Sequence, residues 1–142
     1  MCIRDRFNAK ISNQSTSNHI NDGLKLKEAF ITPALKCVPP EDKPLKIELE
    51  NSSKFFNNEL NILKNLKVIV ALGKIAFDTC KIFYKDKFHI PSEFQFGHGK
   101  IYKLENGVKL VGCYHPSPRN VNTGRINEKK MTNLFKKVKN LN

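Results

Sequence analysis

The 142-residue chain has a strong excess of positive charge, with 25 Lys and Arg residues against 13 Asp and Glu and a formal net charge of +12. This length suits one compact domain rather than two. With 39% hydrophobic residues and no apolar run near the roughly 18 residues that cross a bilayer, the chain is expected to be globular, neither disordered nor membrane-spanning. The charge leaves two interpretations open: nucleic acid is the partner, or lysines merely coat the surface.

The first six residues differ in composition from the rest. They hold two of the four arginines, Arg4 and Arg6, in a chain whose other cations are almost all lysine. Such an opening resembles an adapter-derived leader from assembled sequence data, so we expect residues 1–6 to be non-native and exclude them, with Cys2, from the fold. They also lack the apolar stretch of a signal peptide, which predicts a reducing, cytoplasmic compartment.

The first half of the chain is expected to contain one strand and one helix between loops. Residues 8–23 are polar and show no hydrophobic period, which predicts a loop. Residues 29–35 resemble a short buried strand, with Pro33 at its edge or at a bulge, and a proline-rich loop follows at 38–44. From about residue 48 to 66, apolar residues recur at four- and three-residue steps, which predicts an amphipathic helix.

The second half predicts a βα unit, a hairpin and a final helix. Residues 67–73 form a continuous β-branched run that ends in Gly, and helical spacing follows it. The runs 100–104 and 108–114 are joined through an Asn-Gly pair, a strong hairpin signal. Apolar residues within 131–138 mark a C-terminal helix. Its other face carries lysines that are either a solvated surface or phosphate contacts, namely Lys129, Lys130, Lys136, Lys137 and Lys139.

These elements predict an α/β layered domain with an open, largely parallel sheet. Ligands of such sheets bind at the carboxyl ends of the strands, where three candidate sites fall: the loop after Leu35, the turn at Gly73, and His115-Pro116-Ser117. The last is the most informative, because a histidine at a strand end, followed by prolines, presents an imidazole on a rigid, exposed loop. The alternative is a histidine with a structural role.

Four motifs stand in register over residues 23–131. They are Lys36-Cys37-x-Pro39-Pro40-x-x-Lys43-Pro44, then Glu59-Leu60 before Val68-Ile69-Val70-Ala71-Leu72-Gly73, then Phe96-Gly97-His98-Gly99, and Tyr114-His115-Pro116-Ser117-Pro118-Arg119-Asn120-x-x-Thr123-Gly124-Arg125. Together they resemble the uracil-DNA glycosylase superfamily, closest to its type-5 branch, whose last motif has the form HPSxxNxxTGR. The resemblance implies a three-layer α/β/α fold with a mostly parallel central sheet, hydrolysis of the N-glycosidic bond of deaminated bases in DNA, and base-excision repair.

The resemblance implies a role for each residue of the last motif. His115 would donate a hydrogen bond to the uracil carbonyl oxygen on which charge accumulates, and Asn120 would lie near the reacting sugar and water. Arg119 would occupy the loop tip that enters the groove left by the flipped nucleotide. The third motif is either a tight turn or part of the site. The implied DNA-binding residues are Pro116, Ser117, Pro118, Arg119, Thr123, Gly124 and Arg125.

The resemblance also implies a 4Fe-4S cluster, since type-4 and type-5 enzymes hold one with four cysteines. Cys37 matches the third ligand, but Ser52 occupies the position of the fourth, and the N-terminal pair has no counterpart. We therefore expect that this chain does not assemble the cluster. In a reducing compartment the unequally spaced cysteines are thiols or metal ligands rather than disulfides, and Cys80 and Cys113 are expected to be small core residues.

The family's first motif, a βα turn that contacts the base, has no counterpart here. Residues 7–142 are therefore interpreted as the C-terminal portion of one glycosylase-like domain, a monomer that acts on uracil-containing DNA in the cytoplasm, at the nucleoid. Pro33 stands where type-4 enzymes often have an Asn that reads the uracil edge, which favours a broader base preference. The alternative is a non-catalytic, basic nucleic-acid-binding module on the same scaffold. The missing motif and cysteine favour the module, whereas the complete last motif favours the enzyme.

Overall fold

The computed structural model of the chain describes residues 2–36 and 44–141. The chain divides into two compact units, one comprising Thr32–Cys113 and the other the residues up to Ile31 together with those from Tyr114 onward. None of the described helices has the length and apolar character needed to cross a membrane. The described helices and strands are, in chain order, α1 (Cys2–Asn8), α2 (Lys46–Ile62), β1 (Val68–Leu72), α3 (Lys74–Lys85), β2 (Ile101–Lys103), β3 (Lys109–Cys113), α4 (Pro118–Asn122) and α5 (Glu128–Lys139).

Strand β3 is the central strand of a three-stranded sheet with the order β1-β3-β2. β1 pairs with it in parallel, from Val68 opposite Lys109 to Leu72 opposite Cys113, whereas β2 pairs with it antiparallel. The strand predicted over 67–73 and the predicted hairpin are confirmed. Of the two strand pairings in the described residues, one is parallel and one antiparallel. The chain is therefore of the mixed α/β class, and the mostly parallel, three-layer arrangement stays a prediction.

A tight turn closes the β2–β3 hairpin at the Asn-Gly pair. Gly107 has a φ of +85°, in the left-handed region that glycine adopts without strain. Its N–H donates to the carbonyl of Leu104 at 2.9 Å, and the N–H of Leu104 donates to the carbonyl of Val108 at 2.8 Å. The Asn106 side-chain oxygen accepts from the N–H of Val108 at 3.1 Å. The pair thus supplies both the backbone conformation and a side-chain acceptor for the turn.

The helix of the βα unit buries an aromatic face. Phe77 of α3 is completely buried and meets Phe96 and Tyr102 edge to face, with ring centroids 5.8 and 5.9 Å away. Phe56 of α2 meets Phe83 of α3 in the same way at 6.2 Å. Because burial of one such side chain contributes roughly 1.5–3 kcal/mol, this aromatic cluster is a main source of stability in the unit Thr32–Cys113.

Helix α2 begins two residues before the predicted range 48–66 and ends four residues before its end. The Glu48 carboxylate accepts a hydrogen bond from the backbone N–H of Leu45 at 2.8 Å, which satisfies a free donor just before the first turn. Of the residues predicted to face inward, Phe56 is buried and Leu60 packs against the core. The amphipathic helix is confirmed, with its start set by this acidic cap.

The strand predicted over 29–35 is wrong. The segment is irregular and belongs to none of the described strands, and Phe30 and Ile31 are 59% and 53% exposed. Pro33 has no N–H to donate to a sheet ladder, so a short apolar run around it gains little from strand pairing. The loop predicted over 8–23 is confirmed, apart from its first residue, which ends α1.

Helix α5 confirms the C-terminal helix predicted for 131–138. Its apolar residues Met131, Leu134 and Phe135 are buried, and it packs against α1 within the same unit. The Asn127 side chain caps its start by accepting from the N–H of Lys130 at 2.9 Å.

Residues 2–8, which include most of the opening set apart on composition, form α1. Its Asp5 is completely buried, and among the described residues neither of its carboxylate oxygens has a hydrogen-bond partner. Burial, and next the nearby carboxylate of Glu128, raises the pKa of Asp5 to about 6. A buried carboxyl without a partner costs stability. That residues 1–6 are a non-native leader stays a prediction.

The close approach of two glycines predicts a sharp mutational effect. A Cβ at Gly112 in β3 would stand 2.4 Å from the carbonyl oxygen of Gly97. We therefore expect Gly112→Ala to lower the free energy of unfolding by about 2–3 kcal/mol, measured by urea denaturation. Gly99→Ala is the control, since a Cβ there meets nothing within 4 Å and only the φ of +77° opposes it, at about 1 kcal/mol. Equal losses in the two variants would contradict the steric explanation.

Candidate active site

The candidate site begins where β3 ends. Ser117 caps helix α4 with extended backbone angles, and its hydroxyl accepts from the N–H of Asn120 at 3.4 Å. Pro118 takes the first helical position, where its fixed φ suits the helix and its missing N–H costs nothing. A serine cap and a proline thus define the start of α4. His115, two residues before the cap, is exposed.

Asn120 fixes the backbone on which the histidine stands. Its side-chain N–H donates to the main-chain carbonyl of His115 at 2.8 Å, five residues back along the chain. Asn120 is half-buried, whereas His115 and Arg119 are exposed. The hydrogen bond holds the loop and leaves the imidazole at the surface. The sequence analysis did not anticipate this contact, which becomes visible only once α4 folds Asn120 back over the loop.

The turn after α4 is held from two directions. The Thr123 hydroxyl donates to the carbonyl of Arg119 at 2.8 Å, and Gly124 has a φ of +68°. From α5, the Lys130 ammonium donates to the carbonyls of Gly124 and Arg125 at 2.9 and 3.3 Å. Lys130 therefore supports the turn, a role that the sequence analysis missed when it placed this lysine with the solvated or phosphate-binding residues.

The structure brings the predicted site residues of the last motif into one continuous segment. The segment runs from residue 115 to 125, in the unit that also contains α5. It ends next to Ile126, which is completely buried and whose N–H donates to the carbonyl of Asn120 at 3.2 Å. Exposed cations lie within this segment and on α5. They are Arg119, Arg125, Lys129, Lys136, Lys137 and Lys139.

Two glycine turns singled out in the sequence lie in the unit Thr32–Cys113. Gly73, with a φ of +96°, starts α3, and its N–H donates to the carbonyl of Cys113 at 2.7 Å. The N–H of Lys100 donates to the carbonyl of Gly97 at 3.2 Å, and that of Gly99 to the carbonyl of Gly112 at 2.8 Å. The third motif thus forms a tight turn attached to β3, and its direct part in the site stays an open alternative.

Among the described residues, Ser52, Cys80 and Cys113 do not form a donor set for an iron–sulfur cluster. Cys37 lies outside the described residues. Ser52 is 4% exposed, and its hydroxyl already accepts from the backbone N–H of Lys36 at 3.2 Å. Cys80 and Cys113 are buried core residues, as expected, and burial raises the pKa of the Cys80 thiol to about 12, so no thiolate forms there. Within 2–36 and 44–141, no three His, Cys, Asp or Glu residues come together as a metal site.

Comparison with known proteins agrees with this geometry. The chain combines a mixed α/β sheet with a capped, histidine-bearing loop at the end of the central strand. The family model of the uracil DNA glycosylase superfamily matches residues 4–139. The chain belongs to the uracil-DNA glycosylase superfamily.

Curated relatives include type-5 and type-4 uracil-DNA glycosylases. A type-5 uracil-DNA glycosylase of Mycobacterium bovis is 33% identical over 134 residues, 94% of this chain and 49% of the relative. One from Pyrobaculum aerophilum is 32% identical over 128 residues, covering 90% of this chain and 54% of the relative. A type-4 uracil-DNA glycosylase of Archaeoglobus fulgidus is 30% identical over 99 residues, covering 67% and 48%. The chain spans about half the length of these relatives.

The hydrogen bond from Asn120 to the His115 carbonyl predicts a local effect. We expect Asn120→Ala to lower the free energy of unfolding by about 1 kcal/mol and to shift the His115 imidazole resonances in NMR spectra, because the loop loses its side-chain anchor. Asn122→Ala, on the same short helix, is the matched control and should leave both unchanged. If the two variants perturb His115 alike, the anchor is not what holds the loop.

Proposed function

We propose that the protein is a DNA glycosylase that hydrolyses the N-glycosidic bond of uracil, and of other deaminated bases, in DNA during base-excision repair. The observation that supports this most is the capped loop 115–125, which carries an exposed histidine and two exposed arginines. The relatives named as uracil-DNA glycosylases support the same reaction class. We further propose that the protein works as a monomer in the cytoplasm, at the nucleoid.

For this reaction the protein must position the target base and stabilise the negative charge that develops on it. The target base must leave the duplex stack to be reached. The bond between the base nitrogen and C1′ of the sugar then breaks, the base leaves as an anion, and water adds to C1′. A hydrogen-bond donor at the base carbonyl oxygen stabilises the developing anion, and we assign that role to His115. We assign Asn120 the placement of the His115 backbone, alongside the position near sugar and water implied by the resemblance.

The remaining residues of the segment would bind DNA. Pro116, Ser117 and Pro118 would fix the loop against the DNA backbone phosphates, with Ser117 making the contact through its N–H or hydroxyl. Arg119 is exposed on the first turn of α4, where a long cation can enter the groove or bind phosphate. Thr123, Gly124 and Arg125 form the turn that Lys130 supports. These assignments follow the motif residue by residue and are part of the proposal.

A second function is favoured by one observation. The donor set around Ser52 does not suit an iron–sulfur cluster, as would be expected of a scaffold that kept its charge and lost its chemistry. In that case the protein is a non-catalytic, basic nucleic-acid-binding module. Both functions predict DNA binding, and only the first predicts release of free uracil.

The histidine assignment predicts a loss of chemistry without a loss of binding. We expect His115→Ala to lower single-turnover release of uracil from a uracil-containing oligonucleotide by about 10²-fold, while DNA affinity changes little, because the donor acts on charge that appears in the transition state. His89→Ala, at another exposed histidine, is the control and should keep full activity.

Each result of that experiment separates the proposals. Equal excision by the His115→Ala protein and the unmodified protein would remove His115 from the reaction. Because this chain spans about half the length of its relatives, the excision test needs the whole protein. A whole protein that binds DNA and releases no uracil would contradict the glycosylase and support the binding module.

The two arginines of the segment are expected to differ in effect. Arg125→Ala should weaken binding to all duplexes alike and make the salt dependence of binding shallower by about one unit, because one phosphate contact is lost. Arg119→Ala should lower uracil release from duplex more than from single-stranded DNA, since only the duplex must be held open.

A cation elsewhere in the chain provides the control for these variants. Lys85→Ala removes an exposed charge at the end of α3 and should change neither the salt dependence nor the duplex preference. An Arg119→Ala protein that loses activity equally on both substrates would make Arg119 a phosphate contact and not a wedge.

A further inference from the structure

Four polar side chains tie the segment Thr32–Lys36 to helix α2. The Ser52 hydroxyl accepts from the backbone N–H of Lys36 at 3.2 Å. The Lys36 ammonium contacts both carboxylate oxygens of Glu59, at 2.8 and 2.9 Å. The Thr32 hydroxyl donates to Glu59 at 2.5 Å and accepts from the Lys36 ammonium at 2.7 Å. We call Thr32, Lys36, Ser52 and Glu59 the polar clasp.

The clasp is stronger than an ordinary surface ion pair. The side chains of Lys36 and Glu59 are only 25% and 29% exposed, and Ser52 is buried. The hydrogen bond from Lys36, and next that from Thr32, holds the pKa of Glu59 below its usual value, so Glu59 is an ionised acceptor at neutral pH. Charge-assisted hydrogen bonds of this kind, partly shielded from water, are stronger than neutral or fully exposed ones.

Neighbouring residues of α2 show what an ordinary polar contact looks like. The Ser53 hydroxyl donates to the carbonyl of Glu50 in its own helix. Glu50 pairs with Lys46 at 3.6 Å, with the side chains 55% and 92% exposed. Neither contact reaches beyond the helix. The clasp residues, by contrast, connect α2 to the segment Thr32–Lys36, which precedes it in the chain.

The clasp lies where the family resemblance implies a metal cluster. It ends one residue before Cys37, and its Ser52 occupies the position of the fourth cluster ligand. A cluster held by those two positions would fasten the 32–37 region to the start of α2 through metal–sulfur bonds. In this chain the serine oxygen is instead engaged by a backbone N–H, and the lysine–glutamate pair secures the same segment one to two turns further along the helix.

We propose that the polar clasp fixes the segment Thr32–Lys36 on α2 without a metal–sulfur bond at Ser52. The segment is then held without metal, and Pro33, which is exposed between the two clasp residues Thr32 and Lys36, is presented in a fixed position. The inference is independent of the proposed function, because the clasp fixes the segment whether or not the protein excises bases.

The rate of amide hydrogen exchange in residues 32–36 measures how firmly the clasp holds this segment. In Ser52→Ala, we expect the Lys36 amide to exchange about tenfold faster, because its hydrogen-bond acceptor is gone. Ser53→Ala is the matched control at the next residue and should leave that rate unchanged. Glu59→Gln should speed exchange across 32–36, whereas Glu50→Gln, its control on the same helix, should not. Amides of β1 report global unfolding and distinguish a loosened segment from a destabilised protein.

Iron content provides the second readout. Protein purified without oxygen, and protein incubated with iron and sulfide, should both remain colourless, with exchange in 32–36 unchanged. Ser52→Cys restores a thiol at the ligand position, removes the oxygen acceptor and should behave like Ser52→Ala without taking up iron. Stoichiometric iron and sulfide accompanied by slower exchange in 32–36, or identical exchange in Ser52→Ala and Ser53→Ala, would overturn the proposal.

Discussion

The hydrogen bonding of β3 on both of its edges fixes the arrangement of the sheet in the unit Thr32–Cys113. On one side its carbonyl at Cys113 accepts from the N–H of Gly73, and on the other Gly112 exchanges hydrogen bonds with Lys100 and Gly99. A slip of one residue would turn every side chain of the strand to the opposite face. Since the histidine loop starts two residues after β3, the register of this strand sets the point at which the loop leaves the sheet.

The loop itself is ordered by contacts that stay close in the chain. A serine cap, a side-chain amide and a threonine hydroxyl each bridge three to five residues, and Lys130 adds a support from five to six residues away. Such short loops cost little conformational entropy to close. The segment 115–125 can therefore keep one backbone conformation while its functional side chains, among them His115, remain at the surface.

Periodicity predicted the helices and the hairpin because those signals are local. The βα unit at 67–85 and the Asn-Gly turn needed only neighbouring residues, and both formed as expected. The strand predicted at 29–35 did not form. An apolar run does not show whether a sheet has a free edge to pair with, and Pro33 lacks the N–H that such pairing needs. The support of the turn by Lys130 could not be predicted either, since it depends on where α5 returns in space.

The contacts of the Lys130 ammonium also change how the positive charge of the chain should be interpreted. A count of lysines on α5 treats every ammonium as available to DNA phosphate, yet the Lys130 ammonium is engaged by two carbonyls. In the other unit, the Lys36 ammonium is held by Glu59 and Thr32, and that of Lys81 by the carbonyl of Phe94 at 2.7 Å. A cation that releases counterions must have its charge free to face phosphate. The net charge of +12 therefore overstates the number of phosphate contacts, because part of it secures backbone turns and the segment Thr32–Lys36.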